Sequence, residues 1–331
     1  MPEGVLPLIL GRGWRKVPPQ ACPYRLVWRE RGHLWASATD FRRPIDLGAV
    51  GPVDCPVAVD PTRGNVYRYA SAALESRRDF SELRAFCPAG GAGTCVYPLH
   101  PSKWMVWLCR YLPGRDCVLG LVATSMPGEG IRIQHQLGFF NLGGDGSLLV
   151  SLPADAVVPL DAHQSRERVL FHGAEGYQLL DFRGTRLARL NGADLPEGRG
   201  AAFHPSQPIV ALGGSKILLW EFENGRFETV HPRGQSPCWS ADGQSLYFRE
   251  SSSDLLVWRQ GRVERLLSVA GAKYPEIHYA WPAVPSPCGR FLAVNLCRRV
   301  RQQPTTTGAG EAPPAPFRDY RAVAVVDLVE Q

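Results

Sequence analysis

Apolar residues in this chain come in short uninterrupted runs, each preceded by a small polar turn. In residues 237–248, PCWSADGQSLYF, the turn Ser240-Ala241-Asp242-Gly243 leads into Leu246-Tyr247-Phe248. The phrase recurs at Phe203-His204-Pro205-Ser206 before Ile209-Val210-Ala211-Leu212, and at Pro285-Ser286-Pro287-Cys288-Gly289 before Phe291-Leu292-Ala293-Val294. It recurs at Leu142-Gly143-Gly144-Asp145-Gly146 before Leu148-Leu149-Val150, and at Leu99-His100-Pro101-Ser102 before Met105-Val106-Trp107-Leu108. With one inserted residue it starts again at Val59 in VDPTRGNVYRYA, and a looser copy occupies residues 160–173, LDAHQSRERVLFHG. Taking Pro61, Pro101, Gly144, Pro205, Ala241 and Pro287 as anchors, most intervals lie near roughly 40–50 residues, the length of one propeller blade. The longest, Gly144 to Pro205, holds either an insertion or the looser copy as a blade of its own.

The segments after the anchors also repeat. ALGGSKILLWEFENGRFETV reads as strand, turn, strand, a turn at Asn224-Gly225, and strand. YFRESSSDLLVWRQGRVERLL and RVLFHGAEGYQLLDFRGTRLARL do the same, with turns at Gln260-Gly261 and Arg183-Gly184. Glycine serves these tight turns because they need positive φ. Each unit is therefore a four-stranded meander, with an inner strand before the anchor. Half-buried strands alternate apolar and polar residues, whereas strands covered on both faces read as continuous apolar runs. The second strand of each unit is of the continuous kind. Sheets stacked face to face around an axis satisfy this pattern, and the expected fold is an all-β propeller in a single domain, residues 1–331.

PCWSADGQSLYF resembles the repeat of TolB-type and related WD-like β-propellers, where an aromatic-Ser-Pro-Asp-Gly turn precedes an apolar strand. VPSPCGRFLAV and AAFHPSQPIVALGGSKILLW resemble WD-repeat blades. The resemblance is closest across residues 200–297 and extends more loosely back to residue 58. It implies the fold and leaves function open. The chain lacks a regular Gly-His dipeptide, and Trp220 precedes Glu221 and Trp258 precedes Arg259 where that family has aspartate. The family's associated hydrogen-bond network is not carried over.

Seven blades are expected, with six and eight as alternatives. Residues 24–41, YRLVWRERGHLWASATDF, form a further hairpin. The tail YRAVAVVDLVE, residues 320–330, either completes the last blade or pairs with an amino-terminal strand, removing an exposed edge. Residues 71–86, SAALESRRDFSELRAF, place Ala, Leu, Glu and Arg at helical spacing and predict a short helical insertion, capped by Asp79 or Ser81. Residues 298–319 are rich in Pro, Thr, Gly and Ala, and predict a flexible loop in the last blade.

Composition adds limits. The chain of 331 residues is 44% apolar and 21% charged, an ordinary globular balance, and its net charge of +6 is mild. No concentrated basic stripe interleaved with aromatics stands out, which disfavours nucleic acid. Nine cysteines fall at irregular spacing without a CxxC pair, and several lie in apolar runs, as Cys109 and Cys297 do. They are expected as reduced, buried thiols in a cytoplasmic protein. The apolar stretch Val5–Leu10 is too short for a secretory h-region, and no window is long enough to cross a membrane.

Catalytic signatures are missing: no GxSxG, HExxH, GxxxxGK[ST] or strand-linked GxGxxG occurs. TolB-type repeats also accompany some serine peptidases, but there beside a separate hydrolase domain. His100 and His204 share an anchor position before proline, which favours a structural turn role. His163, Asp161, Glu276 and His278 are the candidate ligands for a metal in the channel, without a local motif to support them, and neither metal nor cofactor is expected. Trp104, Trp107, Trp220 and Trp258 are read as blade packing.

The favoured function is a non-enzymatic, cytoplasmic protein-interaction module or scaffold, monomeric by itself. Arg298, Arg299, Arg301, Trp14 and Trp281 are its candidate partner-binding residues. The first alternative is a small-molecule enzyme of the propeller lactonase or lyase type working in the central channel, and a weaker one is a toxin-neutralising binding protein.

Overall fold

The computed structural model describes residues 26–30, 33–37, 45–49, 57–60, 65–71, 80–86, 94–98, 103–126, 132–143, 146–156, 158–173, 176–192, 195–196, 200–277, 283–286, 288–301 and 317–328. These contain strands and turns, and no helix occurs among the described residues. The strands form antiparallel sheets in chain order. The first sheet joins β1 (Leu26–Glu30), β2 (His33–Ser37) and β3 (Ile45–Ala49). The second runs β4 (Val57–Val59), β5 (Val66–Ser71), β6 (Phe80–Phe86), β7 (Thr94–Pro98). The third holds β8 (Lys103–Leu112), β9 (Cys117–Met126), β10 (Arg132–Asn141) and β11 (Ser147–Ser151). The fourth holds β12 (Val158–His163), β13 (Arg168–Gly173), β14 (Gly176–Asp181) and β15 (Arg186–Leu190). The fifth holds β16 (Gly200–Phe203), β17 (Ile209–Gly213), β18 (Ile217–Glu221) and β19 (Arg226–His231). The sixth holds β20 (Gln235–Trp239), β21 (Leu246–Arg249), β22 (Asp254–Arg259) and β23 (Arg262–Ser268). In the seventh, β24 (Glu276–Ile277) and β25 (Ala283–Pro285) share one edge of β26 (Phe291–Arg301), and β27 (Phe317–Asp327) takes the other.

Sheets two to six are meanders whose strand order follows the chain. Their first strands lie side by side: β4 by β8, β8 by β12, β12 by β16, β16 by β20, and β20 by β25. Successive sheets therefore radiate from a common line of inner strands, which is the arrangement of a β-propeller. The meander also defines two ends. Turns from first to second and from third to fourth strand lie at one, here called the anchor end. Turns from second to third strand, and links between sheets, lie at the other, the hairpin end.

The central strands of the fourth to sixth sheets are buried on both faces, and their alternate residues belong to different neighbours. In β13, Val169 and Phe171 pack toward the third sheet, while Leu170 packs toward the fifth. In β17, Val210 and Leu212 face the fourth sheet and Ala211 faces the sixth. In β21, Leu246 and Phe248 face the fifth sheet and Tyr247 the seventh. A sandwich would give one core between two inner faces. Here each core lies between consecutive sheets, which explains the uninterrupted apolar runs. Trp220 is buried in one such core, and Trp258 packs against another, edge-on to Trp239 at 6.1 Å. Trp104 and Trp107 lie in β8. The outer strands are shielded from edge pairing by bulges between third and fourth strands at Leu83/Arg84, Leu179/Leu180, Ile217/Leu218 and Leu255/Leu256.

The anchor turns repeat in hydrogen bonds as well as in letters. Asp60 N–H donates to Asn65 O at 2.9 Å, and His204 to Ile209, Ser240 to Ser245 and Ser286 to Phe291 at 2.8 Å. Inside the opening motif, Ser240 Oγ donates to Asp242 at 2.6 Å and accepts Ser245 N–H at 2.9 Å. Ser286 Oγ takes the same place, accepting Phe291 N–H at 3.0 Å.

Several sequence expectations are corrected. Residues 99–108 do not precede a second strand: Lys103–Leu112 is the inner strand of the third sheet, and its anchor turn is Pro113–Asp116. The anchor expected at Gly144 falls in sequence between β10 and β11, the third and fourth strands of the third sheet, and Gly144 itself lies outside the described residues. The looser copy at 160–173 is a genuine first-to-second-strand turn, so the longest interval contains a sheet of its own. Both kinds of turn precede apolar strands at the same end, which is why the pattern confused them. The helix predicted over 71–86 is replaced at both ends by strand, since Ser71 ends β5 and Phe80–Phe86 forms β6. Leu83 is wholly buried there, and packing overrides the helix propensity of its neighbours; residues 72–79 lie outside the described residues. The loop predicted over 298–319 is strand at its two ends, because β26 continues to Arg301 and β27 begins at Phe317; residues 302–316 lie outside the described residues. Of the two roles weighed for the tail, it completes the seventh sheet.

Two glycines separate backbone freedom from packing. Gly261 has φ +80° with open space around it, whereas Gly243 has φ +74° and a Cβ there would meet the His204 ring at 2.4 Å. Gly261→Ala is expected to cost about 1–2 kcal/mol from the left-handed backbone alone. Gly243→Ala adds about 1–3 kcal/mol of overpacking. Chemical denaturation of both variants measures the gap, and equal midpoints would show that His204 moves aside freely.

Candidate functional site

At the anchor end, several polar groups link one sheet to the next. His204 sits edge-on to Trp239 at 4.7 Å, and its Nε2 lies 3.2 Å from the Gly243 carbonyl of the next sheet's turn. Its Nδ1 accepts Gln207 N–H at 2.9 Å, which leaves the ring proton on Nε2 in the neutral tautomer. His163 holds the equivalent place one sheet earlier, buried at the end of β12 and edge-on to Phe203 at 5.5 Å. His163 and His204 thus take equivalent structural places; His100, expected to share the role of His204, lies outside the described residues. Burial lowers the pKa of both rings, as it does for His135.

Asp161 joins three inner strands. Its Oδ2 accepts Phe203 N–H from β16 at 2.8 Å, and its Oδ1 accepts Arg110 of β8 at 3.4 Å. Glu276 lies at the opposite end, in β24, and His278 is outside the described residues, so the four candidate metal ligands are not brought together. Among the described residues, no three His, Cys, Asp or Glu side chains converge as a metal site. Turn-to-turn ion pairs complete this end: Arg115 with Glu167, and Arg166 with Glu223. Arg115 also lies 5.5 Å from the rings of Phe139 and Phe182. Arg290 grips the buried Asp327 carboxylate through Nε at 3.1 Å and Nη2 at 2.6 Å, holding the tail strand to the seventh anchor turn. Burial pushes the Cys117 thiol up to about 11 and Cys238 up to about 12, which keeps both protonated and unreactive.

The hairpin end is built differently. Arg249, half-buried at the end of β21, donates to the Ile277 carbonyl at 3.3 Å and to the Gln235 side chain. Burial lowers its pKa, opposed by Cys297 and Glu276. The Cys297 thiol lies 3.9 Å from Glu276. Beside this cluster, β26 outruns its inner partner: β24 reaches only as far as Cys297. Past that point, among the described residues, β26 pairs with β27 alone, placing Arg298 opposite Tyr320, Arg299 opposite Asp319, Val300 opposite Arg318 and Arg301 opposite Phe317. Among the described residues the result is a two-stranded ribbon that continues past the end of β24.

Of the predicted site residues, Arg298, Arg299 and Arg301 lie on strand β26 rather than in a loop, with Arg298 exposed. Trp14 and Trp281 lie outside the described residues. Sequence inspection missed Arg318 and Arg321 on the return strand. Their signal was the tail's match in length to the run that ends in CRRVR. It also missed the Arg249 cluster, which only the abutment of sixth and seventh sheets creates.

No protein-family model matches the chain, and neither does any curated protein. Among solved structures, a chain of the mitotic checkpoint complex is similar with a TM-score of 0.46 and 13% identity, covering 72% of this chain and 84% of that one. A chain of a nidogen/laminin complex gives 0.44 and 11%, covering 72% and 91%. TolB from Acinetobacter baumannii gives 0.48 and 15%, covering 74% of this chain and 64% of its own. The propeller assignment rests on the order of the sheets and the adjacency of their inner strands.

The histidine contacts predict a pH response. Rings whose folded pKa lies below the ordinary 6.5 bind fewer protons than in the unfolded chain. Stability is then full above 6.5 and declines as pH falls through 6.5 toward the folded values. The denaturation midpoint is expected to drop between about pH 7.5 and pH 5.5, with a shallower drop in His204→Gln. A midpoint that rises on acidification contradicts the neutral, buried assignment.

Proposed function

We propose that the protein is a β-propeller interaction module that holds another protein at its hairpin end. The observation that carries this reading is the β26/β27 ribbon, which continues past its sheet and bears Arg298, Arg299 and Arg301. At the anchor end, by contrast, histidines, carboxylates and guanidiniums link one sheet to the next. A rigid frame with one ribbon continuing past the end of β24 suits recognition, since the frame orders the contact before the partner arrives. Trp14 and Trp281 are proposed as further anchors of the same partner. The lactonase or lyase alternative needs reactive groups in the channel, and its best-placed members, Asp161 and His163, are engaged with Phe203 and Arg110 or buried. A partner toxin is one form the bound protein could take. We place the module in the cytoplasm, as a monomer in the absence of its partner, a reading supported by buried thiols such as Cys117 and Cys238.

A photo-crosslinking residue tests this at position 298, compared with position 224 at the exposed anchor end. A single stoichiometric protein adduct is expected from 298 and none from 224. Adducts from 224 alone, or from neither, would overturn the assignment.

A further inference from the structure

We infer that Asn224 is a self-modification site. The Gly225 amide nitrogen attacks the Asn224 side-chain amide, ammonia leaves, and the turn between β18 and β19 gains a carboxylate. The turn is Phe222-Glu223-Asn224-Gly225, between the paired residues Glu221 and Arg226. Asn224 and Gly225 are both exposed, and Gly225 has φ +71° with open space where a Cβ would stand. Glycine has two effects here. It supplies the left-handed backbone, and it leaves its own nitrogen without a side chain to shield it.

The turn favours the chemistry at the side chain and gates it at the backbone. Asn224 Oδ1 accepts the Arg226 N–H at 3.1 Å. That oxygen takes on negative charge when a nucleophile adds to Cγ, so the donor stands where an oxyanion is stabilised. Gly225 N–H donates to the Glu221 carbonyl at 2.9 Å, and this bond opens before attack. An exposed hairpin turn opens at low cost. Hydroxide removes the Gly225 N–H proton, the N–Cγ bond forms, and the Cγ–Nδ2 bond breaks. Nδ2 departs as ammonia with a proton from water, which restores the hydroxide. Water then opens the cyclic imide at either carbonyl. One opening gives aspartate. The other gives isoaspartate, which carries an extra methylene in the main chain.

The position gives the reaction a structural consequence. Glu223, the preceding residue, pairs with Arg166 and ties the fifth sheet's turn to the fourth's. Aspartate at 224 sets a second carboxylate beside that pair. Isoaspartate does more, because the added methylene disturbs both the Gly225–Glu221 and the Arg226–Asn224 hydrogen bonds. The turn loosens, and the tie between the two sheets loosens with it. The chain's other Asn-Gly pair, Asn191-Gly192, is exposed too. There the side-chain oxygen is directed at Gly176, 3.3 Å from the place of a Cβ on that glycine. Asn224 is therefore expected to react first.

The test ages the full chain at mildly alkaline pH and follows ammonia release and peptide maps that resolve aspartate from isoaspartate. Conversion at residue 224 is expected to run ahead of conversion at residue 191. Gly225→Ala, whose Cβ crowds the attacking nitrogen, is expected to slow conversion at 224 by about tenfold or more. Comparing 224 with 191 needs no substitution, and it stands if Gly225→Ala does not fold. Fresh Asn224→Asp separates the charge from the lengthened backbone. Aged protein rich in isoaspartate is expected to unfold at lower denaturant than that variant. An unchanged residue 224, conversion at 191 that equals or exceeds it, or a rate untouched in folded Gly225→Ala would each overturn the inference. Equal midpoints for aged protein and Asn224→Asp would overturn the loosening of the turn.

Discussion

The fold depends on the burial of each sheet between two others. Tyr247 shows the constraint at one residue. It faces the seventh sheet, while Leu246 and Phe248 on either side face the fifth, and all three are almost completely buried. Fully burying side chains of this size is worth about 1.5–3 kcal/mol each. No sheet can collect that energy alone, because its second face would remain wet. The array is stable as a set, much as stacked repeats are stabilised by interfaces with their neighbours.

The anchor end follows from that requirement. Inner strands converge there, and their turns crowd against the turns of neighbours. Polar groups in such a crowd must find partners, since burying one unpaired costs roughly 1–3 kcal/mol. Asp161 meets this by accepting from one neighbour's backbone and the other neighbour's guanidinium. His204 meets it by receiving hydrogen bonds from its own turn and resting on Trp239. The exposed pairs, Arg115 with Glu167 and Arg166 with Glu223, add only about 0–1 kcal/mol each, but they set the relative position of successive turns.

How far the chain could be understood from its letters varied with the local physics. The fifth and sixth sheets were plain, because their turns close by side-chain hydrogen bonds of Ser240, Asp242 and His204, with Gly243 at positive φ, and their second strands are apolar without a break. The third sheet was misjudged. Its inner strand β8 is long and apolar, so it looked like a second strand, and its true turn Pro113–Asp116 lacks the Ser-x-Asp-Gly signature. The fourth was undervalued for the same reason, as Gln164 to Glu167 form a turn with no proline or glycine. At the site, the arginines of β26 stood out as a cluster, but a proline-rich segment following them disguised strand as loop. Arg318 and Arg321 became partners only through the register of β27, which no local pattern encodes. Arg249 needed the contact of two sheets to acquire a role.

The two ends of the propeller also differ in what evolution of the chain could change without unfolding it. At the anchor end, a turn residue such as Gly243 touches the histidine of the preceding sheet, so its identity is bound to a neighbour. A substitution there is felt across an interface, and the interfaces hold the molecule together. Past Cys297, among the described residues, β26 has no inner partner strand and pairs only with β27. The ribbon's length and charge can vary while the stacked cores remain as they are. On the proposed protein-binding reading, binding energy can be placed on the ribbon without drawing on the contacts that stabilise the fold, which separates recognition from stability.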